Sequence, residues 1–228
     1  MIKRGFTLTE VLVTLAIIGV ISALTLPTFV SNAENKANAA KLSSLITDVQ
    51  TAFTSMLTSE AVLDMEETEF AQQATLNDRT GRLSKYLKLA GNSNNMATFY
   101  GTDTIVNKGY TTADNPTFDD IYKVKNGALL FYSMNSLSRP SANVEDLGGS
   151  VTDAIGYISI DVNGGAKPNI WGRDVFHFVL GTDGALYPAG GLNYAILVNG
   201  DTTKLPCESS NSRGCTAKLI EDDFKVNY

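Results

Sequence analysis

The chain has 228 residues, 43% of them hydrophobic and 18% charged, with a formal net charge of −6. That length can bury a real core and that composition folds, which excludes a disordered chain. The negative balance argues against the basic stripe of a nucleic-acid binder, and no nucleic-acid partner is expected.

The charge is unevenly placed. Lys3 and Arg4 stand at the front, and between Phe6 and Val30 the only ionisable side chain is Glu10. Residues 11–30 carry no charge at all, and as a helix they would rise about 30 Å, the thickness of a bilayer core. Lys3 and Arg4 on one flank put the N-terminus in the cytoplasm and everything after Val30 outside it. Glu10, Gly19 and Pro27 interrupt this apolar run. An acid at the centre of a spanning helix costs about 2.5 to 3.5 kcal/mol, so Glu10 reads as a functional group awaiting a partner charge.

The run Gly5-Phe6-Thr7-Leu8-Thr9-Glu10 resembles the processing site of type IV prepilins and type II secretion pseudopilins. The resemblance implies a dedicated peptidase that cuts after Gly5 and methylates the amine of Phe6. It also implies that Glu10 pairs with that amine on a neighbouring subunit. Gly19 and Pro27 fall where many members carry the same residues. The physics is coherent, because an ion pair in low dielectric is worth far more than one in water. Unpaired, each charge keeps its desolvation penalty. Gly19 and Pro27 weaken the helix locally, which lets it bend or melt on leaving lipid. Two other readings stay open: a plain transmembrane anchor with an incidental acid, and a secretory signal peptide cut near Ser31-Asn32-Ala33.

Beyond Pro27 the pattern turns amphipathic. Leu42, Leu45, Ile46, Val49, Phe53, Met56 and Leu57 recur at spacings of three and four, the mark of one apolar helix face. The expected layout is a leader at 1–5, a membrane or filament-core helix at 6–30, its amphipathic continuation at 31–59 and a globular head at 60–228. Asp64, Glu66, Glu67 and Glu69 read as a solvated helix face. A short helix is expected at 82–90, ended by Gly91, and residues 96–118 read as loop.

From Gly127 the chain turns to strands, at 127–134, 155–162, 174–180, 185–187 and 194–198. Asn163-Gly164, Asp183-Gly184 and Asn199-Gly200 suit tight turns that need positive φ. The expected class is α+β, a long helical spine packed on an antiparallel sheet, which is the pilin arrangement. His177, the only histidine, alternates with Phe176 and Phe178 and reads as a surface or edge residue. With one histidine, a His-based metal site or a Ser/His triad is hard to build.

Asp161, Asn163, Asn169 and Asp174 surround a glycine-rich turn and offer the oxygen chemistry of a hard cation such as calcium. Some major pseudopilins bind calcium in a C-terminal loop, so the resemblance supports the idea. The spacing is not that of an EF-hand, and Asx turns with an Arg173 ion pair account for the same residues. The pieces D-V-N-G-G-A-K-P-N and G-R-D also resemble uncharacterised prepilin-type proteins. No cofactor other than that calcium ion is expected.

Cys207 and Cys215 form a close pair beyond a membrane anchor, which suggests a disulfide in an oxidising compartment. Closing that loop would stabilise by about 2 to 3 kcal/mol, and pilins often carry such a loop. Residues 216–228 read as a short helix or strand packing Leu219, Ile220 and Phe224. No nucleophile with a base, phosphate loop or metal set is legible, so no enzyme is expected. The resemblance implies partners instead: further pilin-like subunits, the prepilin peptidase and methyltransferase, an inner-membrane assembly platform and membrane lipid.

Overall fold

The computed structural model describes residues 7–106, 118–133, 154–191, 205–208 and 212–225. Gly5, Phe6, the expected strand at 194–198 and the Asn199-Gly200 turn lie outside them.

One helix, α1 (Leu8–Glu60), runs 53 residues without a break through Gly19 and Pro27. Proline has no N–H, so the Ala23 carbonyl loses its donor four residues on, yet the helix continues. Its end is a Schellman closure. Ala61 takes the left-handed conformation (φ 56°), and the N–H groups of Ala61 and Val62 return to the carbonyls of Thr58 and Leu57.

Beyond α1 the described residues form a six-stranded antiparallel sheet in sequential order. The strands are β1 (Leu89–Ser93), β2 (Asp120–Val124), β3 (Leu129–Ser133), β4 (Ala154–Asp161), β5 (Val175–Gly181) and β6 (Leu186–Pro188). The α+β class, spine plus sheet head, is therefore as the pattern predicts. Leu42, Leu45, Val49, Phe53 and Met56 of α1 lie buried against Tyr122, Leu130, Tyr132, Ile158, Ile160, Phe176 and Phe178 of one sheet face. Leu129, Phe131 and Val175 point the other way and are covered by Tyr100, Ile105 and Trp171. With both faces covered, every residue of β3 and β5 is buried, which is why these strands lack an apolar–polar alternation.

Four local expectations are corrected. The helix expected at 82–90 is α2 (Leu76–Leu83), started by Thr75, whose hydroxyl accepts from the Asp78 N–H. Leu89–Ser93 is an edge strand, because Leu89 pairs with Val124 in β2. The acidic stretch is a 3-10 turn (Met65–Glu67) rather than a helix face, with Met65 buried and Glu66 and Glu67 exposed. The 96–118 segment contains a helical turn, α3 (Ala97–Tyr100), and the strand β2 begins directly after it at Asp120. Of the expected tight turns, Asp183-Gly184 joins β5 to β6 as the pattern predicts, with Gly184 at φ 80° and the Gly181 N–H bonded to the Ala185 carbonyl. A further tight hairpin at Asn126-Gly127 joins β2 to β3, with Gly127 at φ 91° and the Val124 N–H bonded to the Ala128 carbonyl. Asn163-Gly164 instead opens the longer β4–β5 loop. The Gly164 backbone lies so close to the Gly127 carbonyl that a Cβ there would sit 2.0 Å from its oxygen.

A buried ion pair ties α2 to the sheet. Arg79 bonds Asp120 through both Nε and Nη2, the latter at 2.8 Å, and Tyr122 Oη donates to the same carboxylate at 2.6 Å. Arg79 is 7% exposed and Asp120 fully buried, so removing one partner strands the other charge. Arg79→Met should lower unfolding free energy by about 3 to 5 kcal/mol. The double change with Asp120→Asn should recover part of that loss, as read by urea unfolding of the detergent-solubilised chain. Additive losses would show that the pair is not the coupling.

Candidate functional site

Three places carry the residues singled out by the sequence. The first is the start of α1. Thr7 is its N-cap, in extended conformation (φ −76°, ψ 151°), and forms a capping box with Glu10. Glu10 Oε2 accepts from the Thr7 N–H and hydroxyl, both at 2.8 Å, while the Glu10 N–H donates to Thr7 Oγ1 at 3.2 Å. The spacing Thr7-x-x-Glu10 is the capping-box signature and was legible in the sequence. Glu10 thus has a local partner at the positive end of the helix dipole. From Leu8 to Val30 the large apolar side chains are exposed, Leu8, Leu24 and Phe29 most of all. Nothing lies within 4 Å of a Cβ built on Gly19. This stretch is long and apolar enough to cross a membrane, and the chain's own head buries none of it.

The second place is the β4–β5 loop, which brings Asp161, Asn163 and Asp174 together. Asp161 Oδ1 accepts from the N–H groups of Asn163 and Gly164, and Oδ2 from the Gly165 N–H and Tyr100 Oη, at 2.7 to 3.0 Å. Asp174 accepts from the Ile170 N–H at 2.8 Å and Asn163 Nδ2 at 3.0 Å. Asn169 lies in the same loop, but its Oδ1 has no hydrogen-bond partner among the described residues, nor has that of Asn163. Burial raises the Asp161 carboxyl against those four donors. Burial, with the neighbouring Asp161 charge, pushes Asp174 up to about 8. Among the described residues no group of three or more His, Cys, Asp or Glu side chains converges as metal ligands would. The four acceptor positions of Asp161 are already filled, so Asp161 as arranged is not free to ligate a hard cation. The loop is a cage of N–H donors around a carboxylate.

The third place is the C-terminal element. Cys207 and Cys215 are joined in a disulfide, and α4 (Cys215–Glu221) starts at the bridge. Gly172 of the β4–β5 loop packs against it, where a Cβ would stand 2.6 Å from Cys215 Cβ. Thr216 Oγ1 accepts the His177 backbone N–H at 3.1 Å, so α4 covers part of β5. His177 is thereby buried, not at the surface or an edge as expected. Its Nδ1 lies 2.8 Å from Ser159 Oγ, with Tyr157 stacked on the ring and Trp171 edge-on to it. The covering comes from the β4–β5 loop and α4, on either side of β5 in the chain, which strand alternation cannot reveal. Burial, helped by the charge of Arg213, pushes His177 down to about 3.

Residues 1–26 match a family model described as the prokaryotic N-terminal methylation motif. The chain carries a prepilin-type cleavage and methylation signal. No curated protein and no solved structure matches the chain. The matched signal is of the type IV pilin or pseudopilin kind, and the exposed apolar helix behind it fits anchoring in an inner membrane. The motif implies processing by a prepilin peptidase and assembly with other pilin-like subunits.

Two outcomes test this geometry. The unfolded chain protonates His177 near 6.5 and the folded chain only near 3, so its contribution is full above the first value and is lost as pH falls toward the second. Asp174 works in the opposite sense between about 4 and 8, so the comparison must be between variants. His177→Gln should therefore flatten the acid side of the Tm–pH curve relative to the parent chain, and parallel curves would refute the neutral buried imidazole. In the loop, Asp161→Asn leaves N–H donors facing an amide N–H₂ and should cost about 2 to 4 kcal/mol. Melts of the parent chain in millimolar calcium and in EDTA should coincide; a calcium-dependent rise would restore the cation reading.

Proposed function

We propose that this chain is a structural subunit of a type IV pilus or secretion pseudopilus. The observation that carries the reading is the division of α1. Its N-terminal half presents apolar side chains on all sides, and its C-terminal half seats the head. An apolar surface of that extent needs lipid or further copies around it. In this reading residues 1–5 are removed by the prepilin peptidase and Phe6 becomes a methylated N-terminus. The subunit waits in the inner membrane with its head outside, and an assembly platform lifts it into a fibre. Packing among copies of residues 11–29 drives association, with Gly19 and Pro27 as the points where the helix yields.

Glu10 sets register. In the unassembled subunit it is held by Thr7, beside the residue whose amine cleavage creates. In the fibre it neutralises the Phe6 amine of a neighbour, where low dielectric makes the pairing strong and a missed register expensive. Mass spectrometry of the N-terminal peptide from native membranes should find a chain beginning at methylated Phe6. Glu10→Ala should still insert in the membrane yet yield few or disordered filaments by electron microscopy. Normal filaments from that variant would remove the register role, and a chain beginning near Glu34 would replace the whole reading with a signal peptide.

A further inference from the structure

Beyond Val30, Leu63 is the exposed large hydrophobic among the described residues, at 94%. It does not hang on a loose loop. The Schellman closure fixes the chain just before it, and Asp64 caps the following 3-10 turn by accepting the Glu66 N–H at 2.8 Å. Met65 is buried in the core, its N–H bonded to the Thr182 carbonyl at 2.8 Å. A rigid turn thus holds one bare leucine out to solvent between Asp64 and the exposed Glu66 and Glu67. Neither glutamate makes an ion pair with a described residue.

The same head has a groove of about 380 Å³ between α1, the α2–β1 connection and the β2–β3 hairpin. Tyr86, Leu87 and Val124 supply its apolar lining. Lys88 and Lys125 line it as well, and Asp48 is its single carboxylate. Both lysines are exposed, and neither makes an ion pair with a described residue. The walls are fixed: the Lys125 N–H bonds the Lys88 carbonyl at 2.9 Å, and Tyr86 Oη bonds Ser59 of α1.

We propose that the Leu63 turn of one copy docks in this groove of a second copy. Leu63 would enter the apolar lining, and Glu66 and Glu67 would face Lys88 and Lys125. Two other anionic occupants fit less well. The groove lies at Asp48, 18 residues above Val30, so it stands roughly 27 Å from the bilayer edge, well past a Debye length of about 8 Å. A nucleic acid would meet a chain of net charge −6. The turn and the groove are different surfaces of one body, so the contact is heterologous, and repetition propagates an open helical array rather than a closed pair. The turn sits about ten residues further along α1 than the groove, so successive parallel copies would be displaced by roughly 15 Å along the spine. The inference rests on the fibre reading and names the head contact within it.

Charge exchange in the full-length chain, expressed with its native assembly machinery, tests the contact. Lys88→Glu with Lys125→Glu, and separately Glu66→Lys with Glu67→Lys, should each cut filament yield by at least about tenfold, with thermal melting unchanged because all four side chains are exposed. Leu63→Asp should do the same. Combining the two charge-reversed pairs in one chain should return most of the yield. In cells co-expressing Leu63→Cys and Lys125→Cys copies, an oxidised dimer linking the two should form, since the native cysteines are already bridged. Wild-type yield from the single reversals, or no recovery in the combination, overturns the proposal. If the parent chain forms no filaments, the fibre reading fails instead, and the cross-link alone decides whether the heads meet as described.

Discussion

The packing of α1 on the sheet is the contact on which the remaining structure depends. Leu42, Leu45, Val49, Phe53 and Met56 form one stripe, each nearly or wholly out of solvent. Truncating a buried residue of this size typically costs 2 to 5 kcal/mol. The stripe fixes where the sheet lies along the rod. From that follow the seat of α2 under Arg79, the height of the Schellman turn and the wall that α1 gives to the groove. The same helix carries an apolar surface toward its N-terminus that the head never touches. One continuous element therefore carries two kinds of surface, apolar on all sides toward its N-terminus and a single buried stripe where the head packs.

The second face of the sheet is covered by loop rather than by helix. Trp171 and Ile105 lie over Phe131 and Val175, and the loop carrying Trp171 is held by Asp161 and Asp174 gathering backbone N–H groups. A loop placed over an apolar face must satisfy its own peptide groups, and two buried carboxylates are a compact way of doing so. The disulfide-closed C-terminal element completes this layer beside His177. The residues that looked like ligands in the sequence are thus those that let an irregular segment act as a layer of the core.

The legible part of the fold was the part governed by local periodicity. The helix to residue 59, its buried stripe, and β3 to β6 follow from spacing and composition. Asp183-Gly184 was legible too, whereas Thr7-x-x-Glu10 and Asn126-Gly127 were passed over although each is a short motif with a local mechanism. What sequence could not give was pairing at a distance. Leu89–Ser93 contains glycine, asparagine and serine, which disfavour a strand, and is one only because Val124 and its neighbours lie beside it. His177 alternates like a half-exposed strand residue and is buried by segments on either side of it in the chain. Nothing local in the sequence singles out Arg79, because its partner Asp120 lies 41 residues away.

A rod anchored only near its base has little orientational control at its head. Residues 10 and 60 are separated by roughly 75 Å of helix, so a tilt of about 10° at the base would displace the top by roughly 13 Å. Gly19 and Pro27, both in the lower half, make such tilts easier rather than harder. A charge pair at Glu10 can set axial register, but it cannot by itself decide which face of a head meets its neighbour. A second contact set far up the rod, rigid on both sides and of opposite charge, supplies that missing constraint. The turn at Leu63 and the groove at Lys88 and Lys125 are both built on elements pinned to the upper half of α1. Compliance is thus confined to the segment that changes solvent, and geometry is specified where the heads meet.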